Sequence, residues 1–232
     1  MKVLITRAKE DAEATAQELA RRGHQPVIAP LLQTRFQDGA PVVLDGVQAV
    51  LFTSANGVRA LIRRTPRRDV PVYAVGPQTT EEAEAAGFTP VHNADGNAHR
   101  LAEMVMQEVR PEAGVLLHVH GGAAGLAERL RIHGYAMREE ILYAVQPLKL
   151  PDDAVALLKS ESLDAALFFS PRSAAIFRDA VIQAGLPTGK LIAVCISQAT
   201  AAALAPLSFA EVRVAPAPNQ TALLDLLPDH NP

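Results

Sequence analysis

Six short segments place small, hydroxyl-bearing or glycine residues where apolar runs end: Thr6-Arg7, Ser54-Ala55-Asn56-Gly57, Gly76-Pro77-Gln78-Thr79-Thr80, His120-Gly121-Gly122, Ser170-Pro171-Arg172-Ser173 and Ser197-Gln198-Ala199-Thr200. Such residues let backbone N–H groups face outward at a helix start, where the unpaired amides and the helix dipole favour a bound anion. A device repeated this often suits a ligand with several carboxylates or phosphates. Serine, threonine and asparagine are also ordinary helix N-caps, and for any single loop capping explains the residues better than a ligand does. Recurrence in both halves of the chain is what argues for binding. Tyr143 is a further group with chemistry of its own. A phenol with an ordinary pKa of about 10 keeps its proton at neutral pH and can donate it or a hydrogen bond. It follows Glu139, Glu140, Ile141 and Leu142 at the end of a strand-like run, just before a polar connection, a position where two lobes could face each other. A half-buried tyrosine with its hydroxyl in water accounts for it as well, and the sequence alone favours that reading.

Other candidates carry less. The run from Gly121 to Gly125 lacks the spacing of a dinucleotide-binding turn, and residues 185–190 are one short of a phosphate loop and precede a strand. His118 and His120 alternate on a strand and share a face, but no third metal ligand stands at a recognisable spacing, and no metal is expected. Cys195 lies inside an apolar strand with no histidine near in sequence, which fits a packed small side chain rather than a nucleophile. Arg63-Arg64 and Arg67-Arg68 read as a solvated helix end and turn.

The elements that must position these residues alternate. Short β-rich runs are followed by alanine-rich segments of helical spacing, the pattern of βαβ units, so the fold class is α/β. Residues 2–6 form a strand, 11–22 a helix closed by Gly23, and 26–32 the next strand; strand and helix then alternate around a polar stretch at 33–46. The second half repeats the opening order with strands at 115–119 and 137–145 and a second polar stretch at 146–162. Ten strands are expected in all. Gly76 and Thr79 recur as Ser197 and Thr200 at a constant offset of 121, which Phe88 and Phe209 also keep. Two copies of one five-strand plan follow, and with them a bilobed molecule.

A length of 232 residues suits two small domains or one large one. The 22 basic and 25 acidic side chains leave a formal charge of −3, which argues against nucleic acid as the main partner. One cysteine and an amino terminus without a signal-peptide core point to the cytoplasm. No apolar run approaches the roughly 18 residues of a membrane span, so no membrane crossing is expected.

Taken together, Leu4-Ile5-Thr6-Arg7, Phe52-Thr53-Ser54-Ala55-Asn56, Ala74-Val75-Gly76 through Thr79, Leu142-Tyr143 and Phe169-Ser170-Pro171 resemble the uroporphyrinogen-III synthase family across nearly the whole chain. The resemblance implies two flavodoxin-like parallel-sheet lobes joined by a two-stranded connector. The first would be assembled from residues 1–33 and 149–232, the second from 34–148. It implies a lyase that closes the linear tetrapyrrole hydroxymethylbilane into uroporphyrinogen III, expelling water and inverting the last pyrrole ring, with no metal or organic cofactor. The substrate carries eight carboxylates, in keeping with the many anion-receptive helix starts. By matching motifs, Tyr143 would be catalytic, assisting departure of the hydroxyl as water. Thr6, Arg7, Ser54, Asn56, Gly76, Thr79, Gly121, Ser170, Arg172, Ser197 and Thr200 would bind substrate. Two positions depart from the family: Ser197 stands where glycine is common, and Ala123-Ala124 replaces a loop that is often more polar. A monomer without nucleic-acid or membrane partners is expected. The competing expectation is a two-lobed cytoplasmic binding or sensor protein that clamps a carboxylated metabolite without converting it.

Overall fold

Val3, Leu4 and Ile5 are wholly buried, as a strand covered by helices on both faces requires. They belong to β1 (Lys2–Ile5), seen in a computed structural model that describes residues 1–122 and 125–228. There follow α1 (Lys9–Arg21), β2 (Gln25–Ile28), β3 (Leu32–Phe36), β4 (Val47–Phe52), α2 (Ala55–Leu61), β5 (Val72–Ala74), α3 (Pro77–Ala85), β6 (Val91–Asn93) and α4 (Ala98–Glu108). The second half holds β7 (Val115–His120), α5 (Leu126–Ile132), β8 (Ala136–Ile141), β9 (Tyr143–Pro147), α6 (Asp152–Lys159), β10 (Ala165–Phe168), α7 (Pro171–Ala184), β11 (Ile192–Cys195), α8 (Gln198–Ala202), β12 (Glu211–Val214) and α9 (Gln220–Leu224).

The chain divides into two units, residues 1–33 with 146–232, and residues 34–145. Unit 1 has a five-stranded sheet in the order β12-β11-β10-β1-β2, and unit 2 one in the order β6-β5-β4-β7-β8. All the ladders in both are parallel. β3 and β9 carry the chain across the division and pair with each other. Leu148 donates to the Leu31 carbonyl and Gln37 to that of Leu142, so these two strands run antiparallel.

Each sheet buries both faces. In unit 1, Leu4 packs with Phe168 and Phe177, while Val3 and Ile5 pack on the other side with Leu19, Leu167 and Leu223. In unit 2, Val50 and Phe52 join Val58, Leu61 and Val119, and Leu51 joins Leu101, Leu116 and Leu130. Burial of one such side chain contributes about 1.5–3 kcal/mol, so these layers hold the strand ends in place.

Twelve strands are found among the described residues rather than ten. The run at 26–32 breaks where Pro30 offers no N–H to a ladder, and its last residue opens β3. The run at 137–145 breaks at Leu142, leaving Tyr143 as the first residue of β9 rather than near a strand's end. The stretch at 146–162 is not merely a polar connection. It contains α6, whose buried Ala154 and Leu158 stand four apart below Leu150 in one core cluster.

The chain order marks a candidate crevice on each sheet. In unit 1 the connections from β1 and from β10 lead to opposite sides of the sheet, and in unit 2 those from β4 and β7 do the same. The carboxyl ends of these strand pairs are the topological switch points, the usual binding crevices of open α/β sheets.

Candidate functional site

At the switch point of unit 2, β4 ends at Phe52 and Ser54 caps α2, its Oγ accepting the Asn56 backbone N–H at 3.2 Å. β7 ends at His120 and turns through Gly121 and Gly122. Tyr143 lies with its ring against that turn. A β-carbon on Gly121 would stand 2.4 Å from Tyr143 Cε2, so no other residue fits there without moving the ring. The ring shares a core cluster with Phe52, Val119 and Leu142. Burial pushes the pKa of the phenol above its ordinary 10, while hydrogen bonds from the Ser54 side chain and the Gly121 backbone pull the other way. The phenol therefore keeps its proton at neutral pH, held by two groups that would stabilise the oxygen once the proton moved. Tyr143 is 5% exposed, more enclosed than the half-buried side chain the sequence favours.

Gly76 and Thr79 stand at the neighbouring strand end, after β5. Gly76 is the extended N-cap of α3, Pro77 follows it, and the Thr79 N–H donates to the Gly76 carbonyl at 3.1 Å. Open space lies where a Gly76 β-carbon would be, so a ligand can approach this backbone. Thr79 itself is buried.

In unit 1 the matching residues are more committed to the fold. Thr6 is wholly buried and its hydroxyl donates to the Leu167 carbonyl at 2.7 Å, tying β1 to β10. The Arg7 guanidinium lies 4.3 Å over the Phe169 ring, donates to Gln220 Oε1 at 2.8 Å, and pairs with Asp11 at 3.2 Å. Ser170 caps α7, its Oγ accepting the Ser173 N–H at 3.1 Å, and Arg172 is exposed on the first turn. Ser197 caps α8 and sits 3.0 Å from the hydroxyl of the buried Thr200. Gly76 with Thr79 and Ser197 with Thr200 thus begin helices after equivalent strands of the two sheets. Ala123-Ala124 lies outside the described residues.

Glu139 is the residue that sequence spacing missed. The parallel register sets His118 opposite Glu139, and the donor atoms of His118, His120 and Glu139 lie within 4.8 Å of one another. Parallel alternation on β7 and β8 was the signal for it. Burial, helped by His120, lowers the pKa of His118 to about 4, so it is neutral. His120 Nδ1 accepts the Gly122 N–H at 3.0 Å, which in a neutral imidazole places the proton on Nε2, the nitrogen facing Glu139.

The remaining candidates are structural. Cys195 is buried, its thiol pushed up to about 12. Arg64 donates to the Gln37 and Ala40 carbonyls, Arg67 pairs with Asp45 and Asp69, and Arg63 and Arg68 lie over Phe36 and Phe88. Arg63, Arg64 and Arg67 thereby pin the segment leading into β4.

Comparison with known proteins gives a consistent answer. The family model for "Uroporphyrinogen-III synthase HemD" matches residues 13–225. A curated Methanocaldococcus jannaschii protein named "Putative uroporphyrinogen-III synthase" is 41% identical over 61 residues, which is 26% of this chain and 25% of that protein. Among solved structures, uroporphyrinogen-III synthetase from Helicobacter pylori superposes with a TM-score of 0.65 at 18% identity, covering 97% of each chain. A mutant uroporphyrinogen III synthase from Thermus thermophilus gives 0.54 at 18% identity, covering 92% of each. At such identity the two structures establish the fold they share with this chain.

Proposed function

The chain belongs to the uroporphyrinogen-III synthase family, a cyclising lyase of haem biosynthesis, and from that membership we propose that it closes hydroxymethylbilane into uroporphyrinogen III. The terminal hydroxyl leaves as water, the last pyrrole ring is inverted, and the macrocycle seals. One observation supports the assignment of roles: the protonated phenol of Tyr143 stands at the switch point of unit 2 between the Ser54 side chain and the Gly121 backbone. Tyr143 donates toward the departing hydroxyl, and Ser54 with the Gly121 N–H stabilises the phenol oxygen as its proton shifts. Both donors are already in place, so little reorganisation accompanies the step.

The strand-end loops of both units bind the carboxylates. In unit 2 these are the helix starts at Ser54, Asn56, Gly76 and Thr79 with the Gly121 turn; in unit 1 they are those at Ser170, Arg172, Ser197 and Thr200. Arg7 supplies positive charge, and Thr6 holds β1 and β10 together beneath them. Fixing a flexible tetrapyrrole in one curled conformation supplies much of the rate through proximity. It also selects the product, because unassisted closure leaves the last ring uninverted. The net charge of −3 supports a protein that does not bind nucleic acid and the single, buried cysteine a cytoplasmic one, which we read as a monomer. No helix among the described residues is long and apolar enough to cross a membrane.

The test is direct. The purified protein is incubated with enzymatically made hydroxymethylbilane and the product isomers are separated by chromatography. Uroporphyrinogen III is the expected product. A profile holding only the uninverted isomer overturns the proposal in favour of binding without catalysis.

A further inference from the structure

The turn that carries Gly121 is held by a set of polar side chains from β7, β8 and α5. Glu139 Oε1 accepts from Arg131 Nη2 at 2.6 Å, and its Oε2 lies 3.3 Å from His120 Nε2. On the other side of the same ring, Nδ1 accepts the Gly122 N–H at 3.0 Å. His118 stacks on His120 with ring centroids 4.5 Å apart and planes 23° from parallel, which fixes the plane of the imidazole. Both histidines are buried, so water does not compete strongly for these contacts.

We propose that His120 is a positioning residue for the cyclisation, one that holds the Gly121-Gly122 turn through its Nδ1 and thereby fixes the place of Tyr143. The inference rests on the reading of Tyr143 as the proton donor. Its physical basis is the absence of slack on either side of the turn. Gly122 is held at a φ of +94°, a conformation open chiefly to glycine. Gly121 meets the Tyr143 ring so closely that a single added carbon would overlap it. If the Gly122 N–H loses its acceptor, the turn is free to shift, and with it the Gly121 α-carbon against which the Tyr143 ring packs. Glu139 makes the device specific to one tautomer: an anion facing Nε2 favours the proton there and leaves the lone pair on Nδ1, where the amide needs it. The salt bridge from Arg131 keeps that carboxylate ionised.

Two replacements of equal polarity separate this role from a merely structural one. In His120→Asn the side-chain oxygen falls near the place of Nδ1 and can accept the Gly122 amide. In His120→Gln the amide group falls near Nε2 and cannot. Steady-state kinetics, product isomer ratio and melting temperature are measured for both, beside Tyr143→Phe and the double variant Tyr143→Phe/His120→Gln. H120Q is expected to lower kcat by about tenfold with KM changed by less than about threefold, and to release more of the uninverted isomer. H120N is expected to recover most of that loss at a similar melting temperature. In the Y143F background, H120Q is expected to cost less than about twofold more, because the group it positions is already gone. Equal kcat in H120N and H120Q, with Y143F impaired, overturns the inference and leaves the role of Tyr143 standing. Wild-type turnover in Y143F overturns the role of Tyr143 itself. A full additional tenfold loss in the double variant shows that His120 acts by another route and also overturns the inference.

Discussion

Removing a single oxygen from Tyr143 tests the chemistry with the least disturbance to packing. Tyr143→Phe keeps the ring against Gly121 and is expected to lower turnover at least about tenfold, equivalent to about 1.4 kcal/mol, with an unchanged melting temperature. Because burial raises the phenol's pKa above 10, the protonated donor persists through mild alkali, and any loss of turnover from its ionisation is expected only above pH 10. An alkaline limb centred below pH 9 that vanishes in Y143F contradicts this assignment. His118 makes a separate prediction about stability. Its folded pKa of about 4 lies below the ordinary 6.5, so between those values the unfolded chain binds the proton first. His120 and Glu139 are the charged or titratable neighbours that act on it. Stability is therefore complete above pH 6.5 and falls as pH drops toward 4, by up to about 3 kcal/mol. Denaturant titrations of wild type and His118→Gln from pH 7 to 4 should converge; parallel curves count against it. At this scale the sequence shows which residues follow strands but not where their side chains turn. Thr6 and Ser54 occupy alike positions by that criterion, yet the Thr6 hydroxyl turns inward to the Leu167 carbonyl while that of Ser54 caps α2 by accepting the Asn56 N–H.

At the scale of the element, capping and anion binding make opposite demands that one substitution can separate. Aspartate caps a helix about as well as serine, and its charge suits a helix N-terminus, but it repels a carboxylated ligand. Ser170→Asp at the start of α7 is expected to leave the melting temperature unchanged or higher. It should raise KM at least about threefold, on the order of the 0.6 kcal/mol that an exposed charge pair contributes. An unchanged KM reduces Ser170 to a cap. The alternating elements were legible because strand runs such as 49–53 and helices such as 98–109 carry strong periodicity between glycine and proline stops. The helix α6 was not, because Asp152, Asp153, Lys159 and Ser160 lend it the composition of a loop, while the stripe of Leu150, Ala154 and Leu158 that buries it is narrow. β3 was hidden for a related reason: Gln33, Thr34 and Arg35 read as a connection, and its partner β9 is more than a hundred residues away.

Charge capture belongs to the whole molecule. A ligand with many carboxylates bound through helix starts and Arg7 is expected to lose affinity as salt rises, since the screening length shortens from about 10 Å at 0.1 M to about 3 Å at 1 M. Product binding measured by fluorescence or calorimetry across that range should weaken steadily. A dissociation constant that does not move argues for capture by apolar contact instead. The repeat at offset 121 exposed the equivalence of the two sheets, because Gly76 and Ser197 both follow the second strand from an edge. It was silent on which strands share a sheet. Residue patterns encode local form, whereas the insertion of β1 between β2 and β10 depends on long-range pairing that no periodicity records.

That insertion bears on how the protein is made. β1 and β2 leave the ribosome well before β10, the other neighbour of β1, which begins only at Ala165, after the uninterrupted stretch of 34–145 has emerged. At about 5–20 residues per second the delay is on the order of ten seconds. For that interval the nascent chain carries an apolar strand with one edge bare, the kind of edge that templates aggregation. The later-coded unit can finish folding during translation, and the one begun first is sealed last.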